Sequence, residues 1–351
     1  MKNKGFTLIE LLAVIVILAI IALIATPIVL NIINNAKKES NERSVELYAS
    51  AVKNAIAKYQ LTHDNAPTNT SELVIEYDGE VSCTTTNIYE DGSIYLAGCS
   101  VDGTLLEDYT YGTTAFEKDS WETIVANVRA GTTSLYKVGD TKEVTLTGNV
   151  AGTYTVRIAN TSTPTDCSEE TFSKTACGFV IEFEDIITNH RMNSTGTNAG
   201  GWPASEMRAY LNDLDANINT DGVIYNALPE ELKNNIIETK VVSGYENGKT
   251  ENYTSTDKLY LLSTKEVYGT SQKYDKVTTE TRQLDYYETK KVSTSSYSGA
   301  IKKLNGSANW WWLRSADSST AHAFFCVDIN GGWGSYAATD ANGVAPAFRI
   351  G

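Results

Sequence analysis

The sequence places one carboxylate, Glu10, inside a long apolar segment. Phe6 begins this segment, and no charged residue occurs from Leu11 to Ala36. At the helical rise per residue, about 20 such residues span roughly 30 Å, which is the thickness of a bilayer core. A carboxylate at membrane depth is costly and marks a function that involves a partner elsewhere. The simpler alternative is an interfacial glutamate whose side chain reaches the lipid headgroups.

The residues before this segment predict its orientation. Lys2 and Lys4 precede it, so the positive-inside rule places the N-terminus in the cytoplasm and the body of the chain outside. A cleaved secretory signal peptide is the alternative, with Ala25-Thr26-Pro27 as a weak cleavage site. We therefore expect a membrane-held precursor whose larger part lies on the cell exterior.

Residues 4–12, Lys-Gly-Phe-Thr-Leu-Ile-Glu-Leu-Leu, resemble the processing site of type IV pilins and pseudopilins. The resemblance implies that a prepilin peptidase cuts after Gly5 and that the new N-terminal residue, Phe6, is methylated. It also implies that Glu10 pairs with the free amine of a neighbouring subunit during assembly. This role agrees with physical chemistry, because a buried carboxylate requires a cation. Pro27 resembles the helix-kinking proline of the family, since proline lacks a backbone N–H.

The apolar segment continues into a stretch whose apolar residues recur at spacings of three and four. These residues are Val45, Tyr48, Val52, Ala55, Ile56 and Tyr59. The spacing predicts an amphipathic helix. The whole of Phe6–Gln60 as one helix would be about 80 Å long. Its first half is apolar all round, whereas its second half has one packed face.

Short strands with tight turns are predicted after this helix. The expected strands are Leu73–Tyr77, Val81–Ile88 and Ile94–Val101. Cys83 and Cys99 fall on the two strands that flank the turn at Asp91-Gly92, so they can face each other in a hairpin. We predict a disulfide between them, because the cell exterior permits oxidation. Two buried free thiols are the alternative.

The rest of the chain mixes strand and helix signals. Strands are expected at Val144–Thr147, Thr153–Ala159 and Phe179–Phe183, and helices from Ser205 to about Leu214 and from Pro229 through Ile237. This mixture predicts an α+β fold.

We therefore predict four parts, which differ in composition and pattern. They are a leader over 1–5, a transmembrane and assembly helix over 6–60, a small β-rich pilin-like segment over 61–120, and a larger mixed domain over 121–351. Cys167 and Cys177 lie ten residues apart in this last domain and form a second candidate disulfide. Cys326 lies in an apolar run, where burial as a small hydrophobic residue is expected.

The last domain carries a second resemblance. Five segments, 183–193, 200–212, 257–269, 311–315 and 343–350, are similar to a domain of unknown function, DUF6273, found in surface and phage-related proteins of Gram-positive bacteria. The resemblance implies a family without an established activity. The tryptophan-rich strand followed by a glycine turn also resembles C-type-lectin-like folds.

Aromatic and charged residues of this domain allow several interpretations. Tryptophans 310, 311, 312 and 333 either form a platform for sugar rings or pack in the core, and the alternation of a strand favours the core. Arg314 and Arg349 are expected to pair with carboxylates such as Asp257 or Glu266. Three oxygen-bearing residues, Asp317, Asp328 and Asn330, follow no regular calcium-loop pattern, so we predict neither a metal nor a cofactor.

No catalytic motif is found, and the three histidines stand apart in sequence. A thiol–imidazole pair of Cys326 and His322 is the disfavoured alternative. We therefore expect a protein that is not an enzyme.

The formal net charge of −14 argues against nucleic acid as a partner.

Three functions remain open: a filament subunit, a tip adhesin that binds a glycan or host surface, and a pseudopilin of secretion or DNA uptake. The expected partners are other pilin subunits, the prepilin peptidase, the inner-membrane assembly machinery and the membrane. The expected location is the cell membrane for the precursor and then an extracellular filament. The large head favours an accessory role, whereas Glu10 favours ordinary lateral packing, and we place the filament subunit first.

Overall fold

A computed structural model describes residues 8–63, 65–89, 91–106, 109–214, 222–275 and 280–351. Two compact units divide the chain: unit 1 is Met1–Thr113 and unit 2 is Thr114–Gly351. In the N-terminal helix, side chains are described from residue 32 onward and at a few earlier positions.

Unit 1 combines one long helix with a small antiparallel sheet. The helix, α1, is Leu8–Gln60. The strands are β1 (Val81–Ile88), β2 (Ile94–Val101), β3 (Thr104–Leu105) and β4 (Thr110–Tyr111). Strand β2 pairs with the other three, and Gly92 makes the β1–β2 turn with a φ of 79°. The predicted hairpin is therefore present, with two additional short strands.

The core of unit 1 lies between the second half of α1 and strand β2. Val45, Ala49, Val52 and Ile56 of α1 are buried at spacings of four, three and four. They pack in one cluster with Ile94, Leu96, Cys99, Val101 and Leu106. This is the packed face that the sequence spacing predicts.

One of the strands predicted in unit 1 is not formed. Residues 73–77 form no strand, although Leu73 and Ile75 pack against the helix–sheet core. In the part of the chain that is described, no helix has the length and apolar character of a bilayer span.

Unit 2 is a mixed α+β structure whose chain begins with two helices, and the class predicted from the sequence is confirmed. Its helices are α2 (Ala115–Lys118), α3 (Trp121–Ala130), α4 (Glu206–Leu211), α5 (Val223–Ala227), α6 (Glu230–Lys233), α7 (Thr264–Tyr268) and α8 (Asp285–Thr289).

Unit 2 contains a six-stranded sheet. In chain order its strands are β5 (Thr141–Leu146), β6 (Gly152–Asn160), β7 (Val180–Phe183), β9 (Ile236–Ile237), β12 (Leu259–Tyr260) and β19 (Ala347–Ile350). The spatial order is β12-β19-β7-β6-β5, with β9 on β19. The last strand of the chain, β19, is therefore an interior strand of this sheet.

A five-stranded sheet holds the tryptophan-rich segment. Its strands are β8 (Thr188–His190), β15 (Trp311–Ala316), β16 (Ala323–Val327), β17 (Trp333–Ala337) and β18 (Asn342–Val344). The order is β17-β16-β15-β18-β8, which leaves β17 at an edge. Two hairpins complete unit 2: β10 (Thr239–Ser243) with β11 (Tyr253–Asp257), and β13 (Lys302–Leu304) with β14 (Ser307–Asn309).

The two helices predicted in this region are shorter than expected. Ser205 caps α4 by accepting a hydrogen bond from the Arg208 N–H at 3.2 Å, but α4 ends at Leu211. The helix after Pro229 ends at Lys233, and Ile236–Ile237 is strand β9 instead. The C-type-lectin-like likeness stays a prediction.

Candidate functional site

The residues predicted for processing and assembly lie at the start of the chain. Gly5 and Phe6 lie outside the described residues. Glu10 and Pro27 fall within the bounds of α1, and their side chains lie outside the described part. Their proposed roles therefore stay predictions.

The described apolar side chains in the first half of α1 are exposed in the single chain. Each leaves about half or more of its surface open, and they are Leu12, Ile15, Val16, Ile17, Val29, Leu30, Ile32 and Ile33. An exposed apolar surface of this extent marks a site of interaction with lipid or with other protein.

Hydrogen bonds fix the second half of α1 to the rest of unit 1. The Tyr77 hydroxyl donates to the Ser44 carbonyl at 3.1 Å, and the Tyr109 hydroxyl donates to Glu46 Oε1 at 3.3 Å. Burial and the Glu46 carboxylate raise the pKa of Tyr109 to about 12. Tyr109 therefore stays a neutral donor at physiological pH.

The two predicted cysteine pairs are bonded. Cys83 lies directly opposite Cys99 in the β1–β2 register, and the S–S distance is 2.03 Å. Cys167 and Cys177 are joined with their Cα atoms 5.8 Å apart. Cys326 is a free, buried thiol.

Two surface grooves run along α1 within unit 1. The larger, of about 560 Å³, lies between α1 and residues 74–78, and it includes Leu47 and Lys58. The smaller has a volume of about 460 Å³ and lies between α1 and a wall formed by residues 104–106 and Tyr109.

The four tryptophans do not form one platform. Trp311 and Trp312 are fully buried, and their indole N–H groups donate to the Ala300 and His190 carbonyls at 3.0 and 2.8 Å. Trp310 is half-buried and contacts Tyr336 edge-on, with 4.6 Å between the ring centroids. The core interpretation is therefore correct for two of the four.

Two aromatic rings are exposed on the edge strand β17. Trp333 leaves 40% of its surface open and Tyr336 leaves 39%. Their positions differ by three in the strand, so their side chains point to opposite faces of the sheet. Either ring has space to stack on a sugar or on another side chain.

The predicted ion pairs of unit 2 are formed in part. Arg314 pairs with Glu266, whereas Asp257 pairs with Arg208 at 2.5 Å. Burial alone would raise the pKa of Glu266, but the Arg314 charge and hydrogen bonds outweigh it and lower that pKa. Arg349 Nε is buried without a hydrogen-bond partner among the described atoms, and burial lowers the pKa of this guanidinium.

A second buried charge cluster centres on Glu182, which the sequence did not single out. Arg157 Nε and Lys302 Nζ lie 2.9 and 3.0 Å from its carboxylate, and the Tyr287 hydroxyl donates to it at 2.9 Å. The available signal was Glu182 itself, an acidic residue within the apolar strand β7. The Glu182 carboxylate is therefore paired with two cations, which points to a structural role.

The carboxylates considered as calcium ligands accept backbone hydrogen bonds within turns. Asp317 Oδ1 accepts the Ser319 N–H at 2.8 Å, and Asp328 Oδ1 accepts the Asn330 N–H at 2.7 Å. Within the described ranges, no group of three or more metal-ligating side chains occurs. His322 is exposed, whereas Cys326 is buried and burial raises the pKa of its thiol.

Family comparisons match both ends of the chain. Residues 1–26 match the prokaryotic N-terminal methylation motif, and residues 179–351 match the domain of unknown function DUF6273. The chain therefore carries the type IV pilin signal and a DUF6273 domain, as its motifs indicated. The DUF6273 match is shorter than the predicted 121–351. No curated protein and no solved structure matches the chain significantly.

The N-terminal match supports a type IV pilin-like or pseudopilin precursor. The motif implies processing by a prepilin peptidase.

Proposed function

We propose that the protein is a subunit of an extracellular type IV pilus-like filament. The observation that carries this proposal is the methylation motif, which overlaps the start of α1. The second half of α1 packs on its own sheet, whereas the described apolar residues of its first half are exposed. Such a helix serves first to hold the precursor in the membrane and then to pack among the helices of other subunits.

Glu10 has a defined role in this proposal. Cleavage after Gly5 gives every subunit a free amine at Phe6, next to the apolar segment. A carboxylate that enters an apolar filament core needs a counter-charge, and the amine of a neighbouring subunit supplies it. The inner-membrane assembly machinery would place the two subunits in this register.

The test is Glu10→Ala in cells that express the full chain. We expect the variant to be cleaved, since its Gly5–Phe6 bond is intact, but to give little protein in the sheared filament fraction. Mass spectrometry of the N-terminus reads the first step, and immunoblotting of sheared filaments reads the second. Glu39→Ala, which removes an exposed carboxylate of the same helix, is the matched control. Normal filament yield from Glu10→Ala contradicts the proposal.

Processing is tested separately at the cleavage site. Gly5→Leu places a bulky side chain at the bond and should leave the uncleaved precursor in the membrane. A mature N-terminus at Phe6 in this variant would show that a bulky side chain at position 5 does not block cleavage. A pseudopilin gives the same two processing results without surface filaments.

A tip adhesin is the second candidate, and the exposed rings of Trp333 and Tyr336 favour it. Immunogold labelling of native filaments distinguishes the two roles. Labels along the shaft indicate a repeating subunit, whereas labels at filament ends indicate a tip protein that binds a glycan or host surface.

We also propose that the protein has no enzymatic activity and binds no nucleic acid. The free thiol of Cys326 is buried with a raised pKa, so it supplies little thiolate. The net charge of −14 opposes binding to phosphate backbones.

A further inference from the structure

The smaller groove of unit 1 combines cations, amides and an apolar side chain. We call it the lysine groove. Its helix wall consists of Asn34, Lys37, Lys38 and Asn41, and its other wall consists of Thr104, Leu105, Leu106 and Tyr109. The helix residues are spaced by three, one and three, so they lie on one side of α1.

The cations of the lysine groove are available to a ligand. Lys37 and Lys38 are exposed. Lys38 Nζ lies 4.0 Å from Glu42 Oε1, a long surface contact, and Lys37 forms no ion pair within the described residues. Surface contacts of this kind contribute little free energy. Two adjacent ammonium groups, with amides of Asn34 and Asn41 beside them, therefore suit an anion such as a phosphate diester.

The position of the groove along α1 points to a membrane surface. The uncharged stretch Leu11–Ala36 corresponds to about 40 Å of helix, which equals the thickness of a bilayer with its headgroups. Lys37 is the first charge after it. When this stretch spans the membrane, Lys37 and Lys38 lie at the level of the outer headgroups.

Leu105 supplies the apolar part of the site. It leaves 54% of its surface exposed on the wall opposite the lysines, and Ile33 on α1 leaves 56% exposed. Cations beside exposed apolar side chains are typical of residues that sit at a lipid interface.

We propose that the lysine groove binds the headgroup of an anionic phospholipid while the precursor is held in the membrane. This inference rests on the proposed function, because it needs α1 in a bilayer. A symmetric contact with a second copy would bring Lys37 and Lys38 against the same two cations, whereas an anionic headgroup neutralises them. The bound lipid fixes unit 1 at the membrane surface until assembly removes the subunit.

The test uses the full chain in vesicles of phosphatidylcholine, with or without phosphatidylglycerol. Leu105→Cys carries an environment-sensitive dye, and Leu47→Cys, an exposed position of α1 further from the membrane, is the matched control. We expect a blue shift at position 105 only with phosphatidylglycerol, and its loss at high salt. Replacing Lys37 and Lys38 by Gln should lower the ratio of protein with lipid bound in the groove to protein without it. The expected decrease is roughly fivefold for each lysine replaced. Lys58→Gln should leave it unchanged.

Three results overturn the inference. Protein that floats with vesicles but shows no effect of phosphatidylglycerol refutes the lipid site alone. A blue shift that follows protein density instead of lipid charge identifies a second copy as the occupant. Protein that fails to float with vesicles refutes both this site and the membrane-held precursor.

Discussion

Arg314 and Glu266 form a fully buried, two-pronged ion pair in unit 2. Nη2 of Arg314 lies 2.7 Å from Oε1 of Glu266, and Nη1 lies 2.5 Å from Oε2. Thr281 also donates to Oε1, at 2.8 Å, and the Ser263 N–H donates to Oε2 at 3.0 Å. Because Glu266 belongs to α7 and Arg314 to β15, the pair ties helix α7 to the tryptophan-rich strand.

Breaking this pair should strongly destabilise unit 2. Arg314→Met leaves the Glu266 carboxylate buried without its counter-charge, and we expect a loss of about 3–5 kcal/mol in the free energy of unfolding. Urea unfolding of the full chain measures it. Arg191→Gln removes an exposed arginine paired with Glu206 and should cost less than about 1 kcal/mol. Equal losses for the two variants would contradict the structural role of the buried pair.

The five cysteines should give one accessible thiol only after unfolding. Cys83–Cys99 and Cys167–Cys177 are bonded, and Cys326 is buried. We expect no reaction with a thiol reagent in the native state and one thiol per chain in denaturant without reductant. Peptide mapping should place the label on Cys326. Label on Cys83 or Cys99 under these conditions would contradict the first disulfide.

Removing the first disulfide should destabilise unit 1. The Cys83–Cys99 bridge closes a loop with a sequence separation of 16, for which chain entropy predicts about 3 kcal/mol. Cys83→Ser with Cys99→Ser should therefore unfold unit 1 at lower denaturant concentration. Cys326→Ser tests a buried cysteine outside any bridge and should leave the transition of unit 1 unchanged.

The helix–sheet core of unit 1 was predictable because its signals are local. The buried positions Val45, Val52 and Ile56 follow helical spacing, and Asp91-Gly92 predicts the hairpin turn. The sequence predicts a strand at residues 73–77, but the structure assigns no strand to them. Leu73 and Ile75 pack against the core instead. The apolar character of this segment is therefore used in packing and not in a hydrogen-bonded ladder.

The features that sequence reasoning missed depend on residues far apart in the chain. Strand β9 exists because Ile237 pairs with Arg349 of the last strand. Glu182 obtains Lys302 as a partner from 120 positions along the chain. Such contacts are set by the tertiary fold, and neither local propensity nor spacing reveals them.

Two tryptophans should respond differently to substitution. Trp311→Ala empties a fully buried site and should cost about 3–5 kcal/mol in the free energy of unfolding. Trp333→Ala removes a ring that is 40% exposed and should cost much less. If the protein is an adhesin, Trp333→Ala should also weaken binding of native filaments to the target surface. A stable Trp333→Ala variant with unchanged adhesion would remove Trp333 from the binding site.

Asp140 should make the stability of unit 2 depend on pH between about 4 and 6. Burial raises the pKa of Asp140 to about 6, although its Oδ2 accepts the Lys137 N–H at 2.8 Å. The folded state therefore binds a proton that the unfolded state has released in this window. The contribution of Asp140 is complete below about pH 4 and is lost as the pH rises through about 6.

Asp140→Asn isolates this contribution, because an amide of the same shape carries no charge. We expect it to raise the free energy of unfolding by about 1–3 kcal/mol near pH 7 and to change it little near pH 4. Asp166→Asn, at an exposed position, is the control. Urea unfolding at both pH values measures the four free energies. An equal change at the two pH values would show that packing around the amide, and not the charge of Asp140, sets the difference.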